Sequence, residues 1–176
     1  FDHIEFIGNG NRNNPNPLKR KVIIGIDLGT TNTVASFVEN DLATTILLKN
    51  GSRLLPSVVA INKNSKFDVG DNAKRQLIIN PNETFFSIKR FIGRRTSEFT
   101  QKFLKNYPFK MNVDNEKIML TSDTLNSNFQ CEEISGQILL KIKTEAELFL
   151  DATIEECVIT VPAYFDNSQR LATKNA

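Results

Sequence analysis

"IIGIDLGTTNT", residues 23–33, joins an apolar run to an aspartate, one glycine and two threonines. Residues 22–28 read as a buried strand, "TNTVASFV" (31–38) as its hairpin partner, and "TTILLK" (44–49) as a third strand. In the turn between the first two, Gly29 sits at the apex with the hydroxyls of Thr30 and Thr31 beside it. A tight turn of this kind presents consecutive backbone N–H groups, a cradle suited to the phosphates of a nucleotide. Asp27, expected as a buried carboxylate at the strand tip, would face the same anion. It would repel phosphate unless a cation lay between them, so the chemistry calls for Mg²⁺ held through water. No GxxxxGK[ST] loop occurs. An ordinary hairpin turn could carry the same residues, and the local sequence leaves both readings open.

Further along, "DNAKRQLIIN" (71–80) predicts a helix with Asp71 as N-cap and a stop at Asn80-Pro81. In "TFFSIKRFIG" (84–93), Phe85, Ile88 and Ile92 fall at i, i+3 and i+7, which predicts a helical apolar face with Lys89 beside it. On pattern alone, Lys89 and Arg90 belong to a solvated surface. "PFKMNV" (108–113) and "KIML" (117–120) read as a hairpin turning at Asp114-Asn115. Ile134, Ile138, Ile142, Ala146 and Phe149 form one stripe of a long amphipathic helix. "CVITV" (157–161) has the unbroken apolar character of a strand inside a sheet, and Pro162 ends it. Asp166 with Gln169 three residues on makes a capping box for a final helix.

Composition narrows the function classes. The 22 basic and 20 acidic residues leave a net charge of +2, too balanced for a nucleic-acid or membrane-surface partner. No apolar run approaches the roughly 20 residues of a transmembrane helix. Two cysteines without CxxC spacing read as inert thiols, and His3 stands alone near a terminus. Residues 1–21, dense in Asn, Gly and Pro, are expected to be a disordered leader or linker. A start at Phe1 and a stop at Ala176 in mid-pattern read as a fragment at both ends.

"IGIDLGTTNT" resembles the first phosphate loop of the actin-like ATPases, most closely that of the 70-kDa heat-shock (DnaK-type) chaperones. The blocks "NGSRLLPSVVAI" (50–61), "VGDNAKRQLIINPNETFFSIKRFIGRR" (69–95), "EEISGQILLKIKTEAELFL" (132–150) and "VITVPAYFDNSQRLATKNA" (158–176) follow in the family's order and spacing. Their wording is most similar to the cyanobacterial and plastid branch. The resemblance implies an α/β fold, an actin-like ATPase (ribonuclease-H-like) lobe with an inserted α+β subdomain at about 56–130. Residues 22–176 would be the first part of the nucleotide-binding domain, so the domain is incomplete.

The implied function is an ATP-dependent molecular chaperone that binds and releases unfolded polypeptide clients. ATP/ADP and Mg²⁺ are its implied cofactors, with a J-domain co-chaperone and a nucleotide-exchange factor as partners. Carried over residue by residue, Gly29, Thr30, Thr31, Asn32 and Lys89 would bind nucleotide, Lys89 and Thr30 would act in catalysis, and Asp27 would serve the metal. Pro162, Tyr164 and Arg170 would form a switch toward the substrate-binding domain. The family's water-positioning glutamate, second phosphate loop, adenosine pocket and peptide-binding domain would all lie beyond Ala176. Two departures stand out. Asp166-Asn167 reverses the family's usual Asn-Asp, and Asn175 replaces a usual Asp, which removes two carboxylates from a region used between lobes.

Two other classes share the superfamily loop. A bacterial actin-like filament ATPase is disfavoured by "SIKRFIGRR" and "VPAYFDNSQR", and a sugar kinase would need a catalytic carboxylate outside this stretch. The asparagine-rich composition and the extension before the first strand suggest an organellar protein, plastid before mitochondrion, with a bacterial-type cytoplasm as the alternative.

Overall fold

The computed structural model describes residues 2–7 and 21–176. In chain order the described strands and helices are β1 (Asp2–Ile7), β2 (Lys21–Leu28), β3 (Asn32–Glu39), β4 (Leu42–Thr45), β5 (Leu55–Pro56), β6 (Val58–Ile61), β7 (Phe67–Val69), α1 (Asp71–Ile79), β8 (Thr84–Phe86), α2 (Gln101–Leu104), β9 (Lys110–Asp114), β10 (Lys117–Ser122), β11 (Ser127–Gln130), α3 (Cys131–Leu150), β12 (Thr153–Val161) and α4 (Asn167–Asn175). Short 3-10 turns occupy Pro81–Glu83, Ile88–Arg90 and Thr96–Glu98.

The main sheet runs β1-β12-β2-β3-β4, with β5 pairing a further stretch of β3. β12 is parallel to β2, while β1 on β12 and the β2–β3–β4 meander are antiparallel. Because strand side chains alternate between faces, Ile24, Ile26 and Leu28 all enter the core. Ala35 and Phe37 of β3 and Ile159 and Val161 of β12 join them. α3 covers this face: Ile134, Ile138, Ile142 and Ala146 recur at a four-residue step and are all buried. Each of the three isoleucines contributes about 1.5–3 kcal/mol when fully buried. Phe149, the last of the expected stripe, is 43% exposed and reaches Phe37 edge-on.

Two smaller sheets, β7-β6-β8 and β11-β10-β9, lie within residues 58–130. They share the main core through Val59, Phe85, Phe109, Ile118 and Leu120. An aromatic cluster stiffens this region. Phe91 meets Tyr107 at 5.0 Å between ring centroids, and Phe85 meets Phe109 at 5.4 Å, both edge to face.

Several expectations are corrected. Residues 2–7, expected within a disordered leader, pair as β1 with the edge of β12. The Asn/Gly/Pro-rich composition begins at Gly8, whereas Ile4 and Phe6 alternate as a strand does, and β12 offers an unpaired edge. The rest of the leader, residues 8–20, lies outside the described residues. The third strand is Leu42–Thr45 rather than 44–49, since the chain bends at Asn50-Gly51 and Leu48 pairs with Ser52 instead. Gly70 rather than Asp71 is the N-cap of α1; Asp71 sits in its first turn and accepts from the Asn50 side chain at 2.6 Å.

The helix expected over 84–93 does not form. Thr84–Phe86 pairs with β6, Ser87 turns left-handed at φ 58, and Ile88–Arg90 is a 3-10 turn. Strand-favouring Thr and Phe win locally. Phe85, Ile88 and Ile92 are nevertheless all buried, so the spacing marked the core residues and mistook their backbone. The 110–122 hairpin forms, with its turn at Asn115 and Glu116, whose φ values of 47 and 65 suit a tight primed turn.

Candidate functional site

Asp27 is placed by the alternation of β2. With Ile26 and Leu28 in the core, its carboxylate must leave the opposite face at the end of the strand. Parallel register sets Thr160 of β12 beside it, and the Thr160 hydroxyl donates to Asp27 Oδ1 at 3.4 Å. Asp27 is exposed, which corrects the expectation of a buried carboxylate: among the described residues nothing covers this end of the face. It is therefore free to meet a ligand.

Gly29, Thr30 and Thr31 form the partly exposed tip that follows, and Asn32 opens β3. A β-carbon at position 29 would lie 2.1 Å from the Asn32 carbonyl oxygen, so only glycine closes this turn. Its shape is fixed from outside. Ser57 N–H donates to the Thr31 carbonyl at 2.8 Å, and the Ser57 and Thr33 hydroxyls share a buried hydrogen bond of 2.9 Å. β5 pairs with Asn32 and Thr33. A loop held this way can present its amides with little reordering.

Lys89 arrives from the 3-10 turn, whose neighbours Ile88, Phe91 and Ile92 are sunk in the core. Its side chain is half-buried. Burial lowers its pKa from the usual lysine value, and the charge of Asp27 opposes that shift. Lys89 therefore lies within the electrostatic influence of the Asp27 carboxylate. The ammonium also lies over the ring of Phe165, 5.7 Å from its centroid, within cation–π reach.

Phe165 links Lys89 to the expected switch. Its N–H donates to the Pro162 carbonyl at 3.0 Å, and Arg170 Nε donates to the Phe165 carbonyl at 3.0 Å. Arg170 Nη2 also donates to the Ala163 carbonyl at 3.2 Å. Pro162 and Arg170 thus bracket Phe165, whereas Tyr164 is 84% exposed and points to solvent. The capping box closes as expected, with Gln169 N–H donating to Asp166 Oδ1 at 2.8 Å. Asn167, the reversed position, opens α4 at the surface.

The structure brings Asp27, Lys89 and the Pro162–Arg170 segment together, with Gly29, Thr30, Thr31 and Asn32 in the hairpin whose strand ends at Asp27. Residues that sequence reasoning passed over are Thr160, Ser57 and Phe165. The first two become visible only through strand pairing. Phe165 carried a signal, as an aromatic between the expected Pro162 and Arg170. Among the described residues no cluster of three or more His, Cys, Asp or Glu could hold a metal alone. One carboxylate beside a hydroxyl is a hard oxygen set that fits Mg²⁺, an ion that keeps several waters and takes few protein ligands.

An α/β sheet with a glycine turn, a carboxylate and a lysine at one end is the arrangement to set beside known proteins. The family model described as "Hsp70 protein" matches residues 23–176. The chain belongs to the Hsp70 family. It is 48% identical over 154 residues to a chaperone protein dnaK from Emiliania huxleyi, covering 88% of this chain and 25% of that protein. It is 44% identical over 154 residues to the chloroplastic stromal 70 kDa heat shock-related protein of Pisum sativum, covering 88% of this chain and 22% of that one. To the chloroplastic heat shock 70 kDa protein 6 of Arabidopsis thaliana it is 43% identical over 154 residues, with 88% and 21% covered. The chain spans about a quarter or less of the length of these curated relatives.

Proposed function

We propose that residues 22–176 are the first part of the nucleotide-binding domain of an ATP-driven chaperone, which hydrolyses ATP to control its hold on unfolded polypeptide. The main sheet with α3 and α4 would be an actin-like lobe, and about 56–130 its inserted α+β subdomain. The observation that supports this is that half-buried Lys89 feels the charge of Asp27, whose strand leads into the glycine-dependent turn at Gly29. Family membership supports it and favours the chaperone over a filament protein or a sugar kinase.

In this scheme the backbone amides of Gly29, Thr30, Thr31 and Asn32 hold phosphate oxygens, and the Thr30 hydroxyl orients the reacting end. Asp27 would hold Mg²⁺, with Thr160 keeping its carboxylate in place; the chemistry such an ion would supply here is neutralisation of phosphate charge. Lys89 stabilises the charge that builds on the transferred phosphoryl group; its ammonium is already poorly hydrated, so little solvent need reorganise. Pro162, Tyr164 and Arg170 would carry the state of the site outward, with Phe165 as their contact to Lys89. A J-domain partner and an exchange factor follow from the family, and the chloroplastic relatives favour a plastid.

The test is calorimetric titration of the full-length protein with ATP, with and without Mg²⁺. Wild type should bind far more tightly when Mg²⁺ is present, and Asp27→Asn should lose that difference while keeping its melting temperature. An unchanged Mg²⁺ dependence in Asp27→Asn would defeat the metal role.

A further inference from the structure

The 88–93 segment that carries Lys89 packs against the Pro162–Arg170 segment through at least two contacts. One contact is Lys89 over Phe165. Another is backbone on backbone: a β-carbon at Gly93 would lie 2.5 Å from the Gln169 α-carbon and 2.7 Å from the Ser168 carbonyl oxygen. Gly93 thus packs its bare α-carbon on the first turn of α4, beside the Asp166–Gln169 capping box. A cavity of about 340 Å³ opens directly beside this contact, lined by Gly93, Arg94, Ser168, Leu171 and Asn175.

Neither side of this contact can easily yield. Phe91 and Ile92 precede Gly93 and are 1% exposed. Arg94 follows it, bonded to Glu98 at 2.8 Å and stacked 4.4 Å over Phe99. Gln169 is buried and tied into the cap of α4. Any side chain at 93 must therefore push the 88–93 turn away from α4, and Lys89 rides on that turn.

We propose that Gly93 is a positioning residue for Lys89, its missing side chain letting the lysine turn seat against α4. This rests on the assignment of Lys89 above. Gly93 has a second reason to be glycine, its φ of +67, and the test must separate the two. Asn tolerates left-handed backbone far better than Ala, so Gly93→Asn keeps the collision and relieves most of the conformational strain. Gly51→Ala does the reverse: Gly51 has φ +80 with nothing within 4 Å of its β-carbon site.

The experiment is single-turnover ATP hydrolysis by the full-length protein, with rates normalised to bound nucleotide so that unfolded molecules do not count. A misplacement of about 1 Å can cost on the order of 100-fold in rate. Gly93→Asn and Gly93→Ala are expected to slow hydrolysis about 10- to 100-fold per bound nucleotide, with nucleotide affinity near wild type and Gly51→Ala at the wild-type rate. A wild-type rate per bound nucleotide in Gly93→Asn overturns this inference and leaves the assignment of Lys89 standing. If Lys89→Ala also runs at the wild-type rate in the same assay, the assignment of Lys89 falls and this inference with it.

Discussion

The ammonium of Lys89 stands 5.7 Å from the ring centroid of Phe165, on the side chain between Pro162 and Arg170. Burial against such apolar neighbours penalises its charge, and the Asp27 carboxylate partly compensates. Lys89 should therefore lose its proton at lower pH than an exposed lysine. Asp27→Asn removes the compensation and should lower its pKa further. NMR titration of Lys89 in nucleotide-free full-length protein measures both values. An ordinary lysine pKa, or a rise in Asp27→Asn, would contradict the geometry.

Glu145 gives the fold a defined acid sensitivity. Burial raises its pKa, but this is outweighed by hydrogen bonds from Lys141 Nζ at 2.7 Å and from the Lys49 backbone N–H at 2.7 Å, leaving the pKa below its ordinary value. A depressed carboxylate pKa stabilises the folded state above the unfolded pKa of about 4.3. That contribution is lost as pH falls through the folded value. Urea unfolding at neutral pH and at about pH 3.5 should show wild type losing more stability than Glu145→Gln. Parallel losses would remove Glu145 from the account.

Glu83 fastens the turn before β8 to the β10–β11 connection. Its carboxylate accepts from the Ser122 hydroxyl at 2.6 Å and from the backbone N–H groups of Asp123 and Thr124 at 2.8 and 2.9 Å. Glu83→Ala removes the acceptor of three donors, of which the Ser122 hydroxyl is buried, and one buried unsatisfied group costs about 1–3 kcal/mol. A loss of about 1–3 kcal/mol is expected in chemical denaturation, with Glu83→Gln losing less because it keeps one acceptor oxygen. Equal stability in Glu83→Ala and wild type would show that the clamp does not hold the region together.

The two thiols should differ in reactivity. Burial pushes the Cys131 pKa up to about 12 at 3% exposure, while half-buried Cys157 is raised less severely. Since the thiolate is the nucleophile, peptide mapping after brief treatment of native protein with a thiol reagent should find Cys157 labelled before Cys131. The opposite order would be evidence against the packing of α3 at its N-terminus.

The β2–β3 hairpin, α3 and the α4 cap were legible because each is specified locally, by alternation, by a four-residue apolar stripe, or by the spacing of Asp166 and Gln169. The 84–93 segment misled because Phe85, Ile88 and Ile92 satisfy helical spacing, while their burial is achieved by a strand, a left-handed Ser87 and a short turn. Asp27 was expected to be buried and is exposed, since a strand's own sequence does not tell what covers its far face. Thr160 is 133 residues from Asp27, and only parallel pairing of β12 with β2 brings them together.

The proposed role of Lys89, half-buried and within the influence of the Asp27 charge, is the centre of the functional account, and single-turnover hydrolysis tests it most directly. Full-length Lys89→Ala should bind MgATP yet hydrolyse it about 10²–10³-fold more slowly per bound nucleotide than wild type, the usual effect of removing one pre-organised contact to a developing charge. A rate within a few-fold of wild type would contradict it and return Lys89 to the solvated surface.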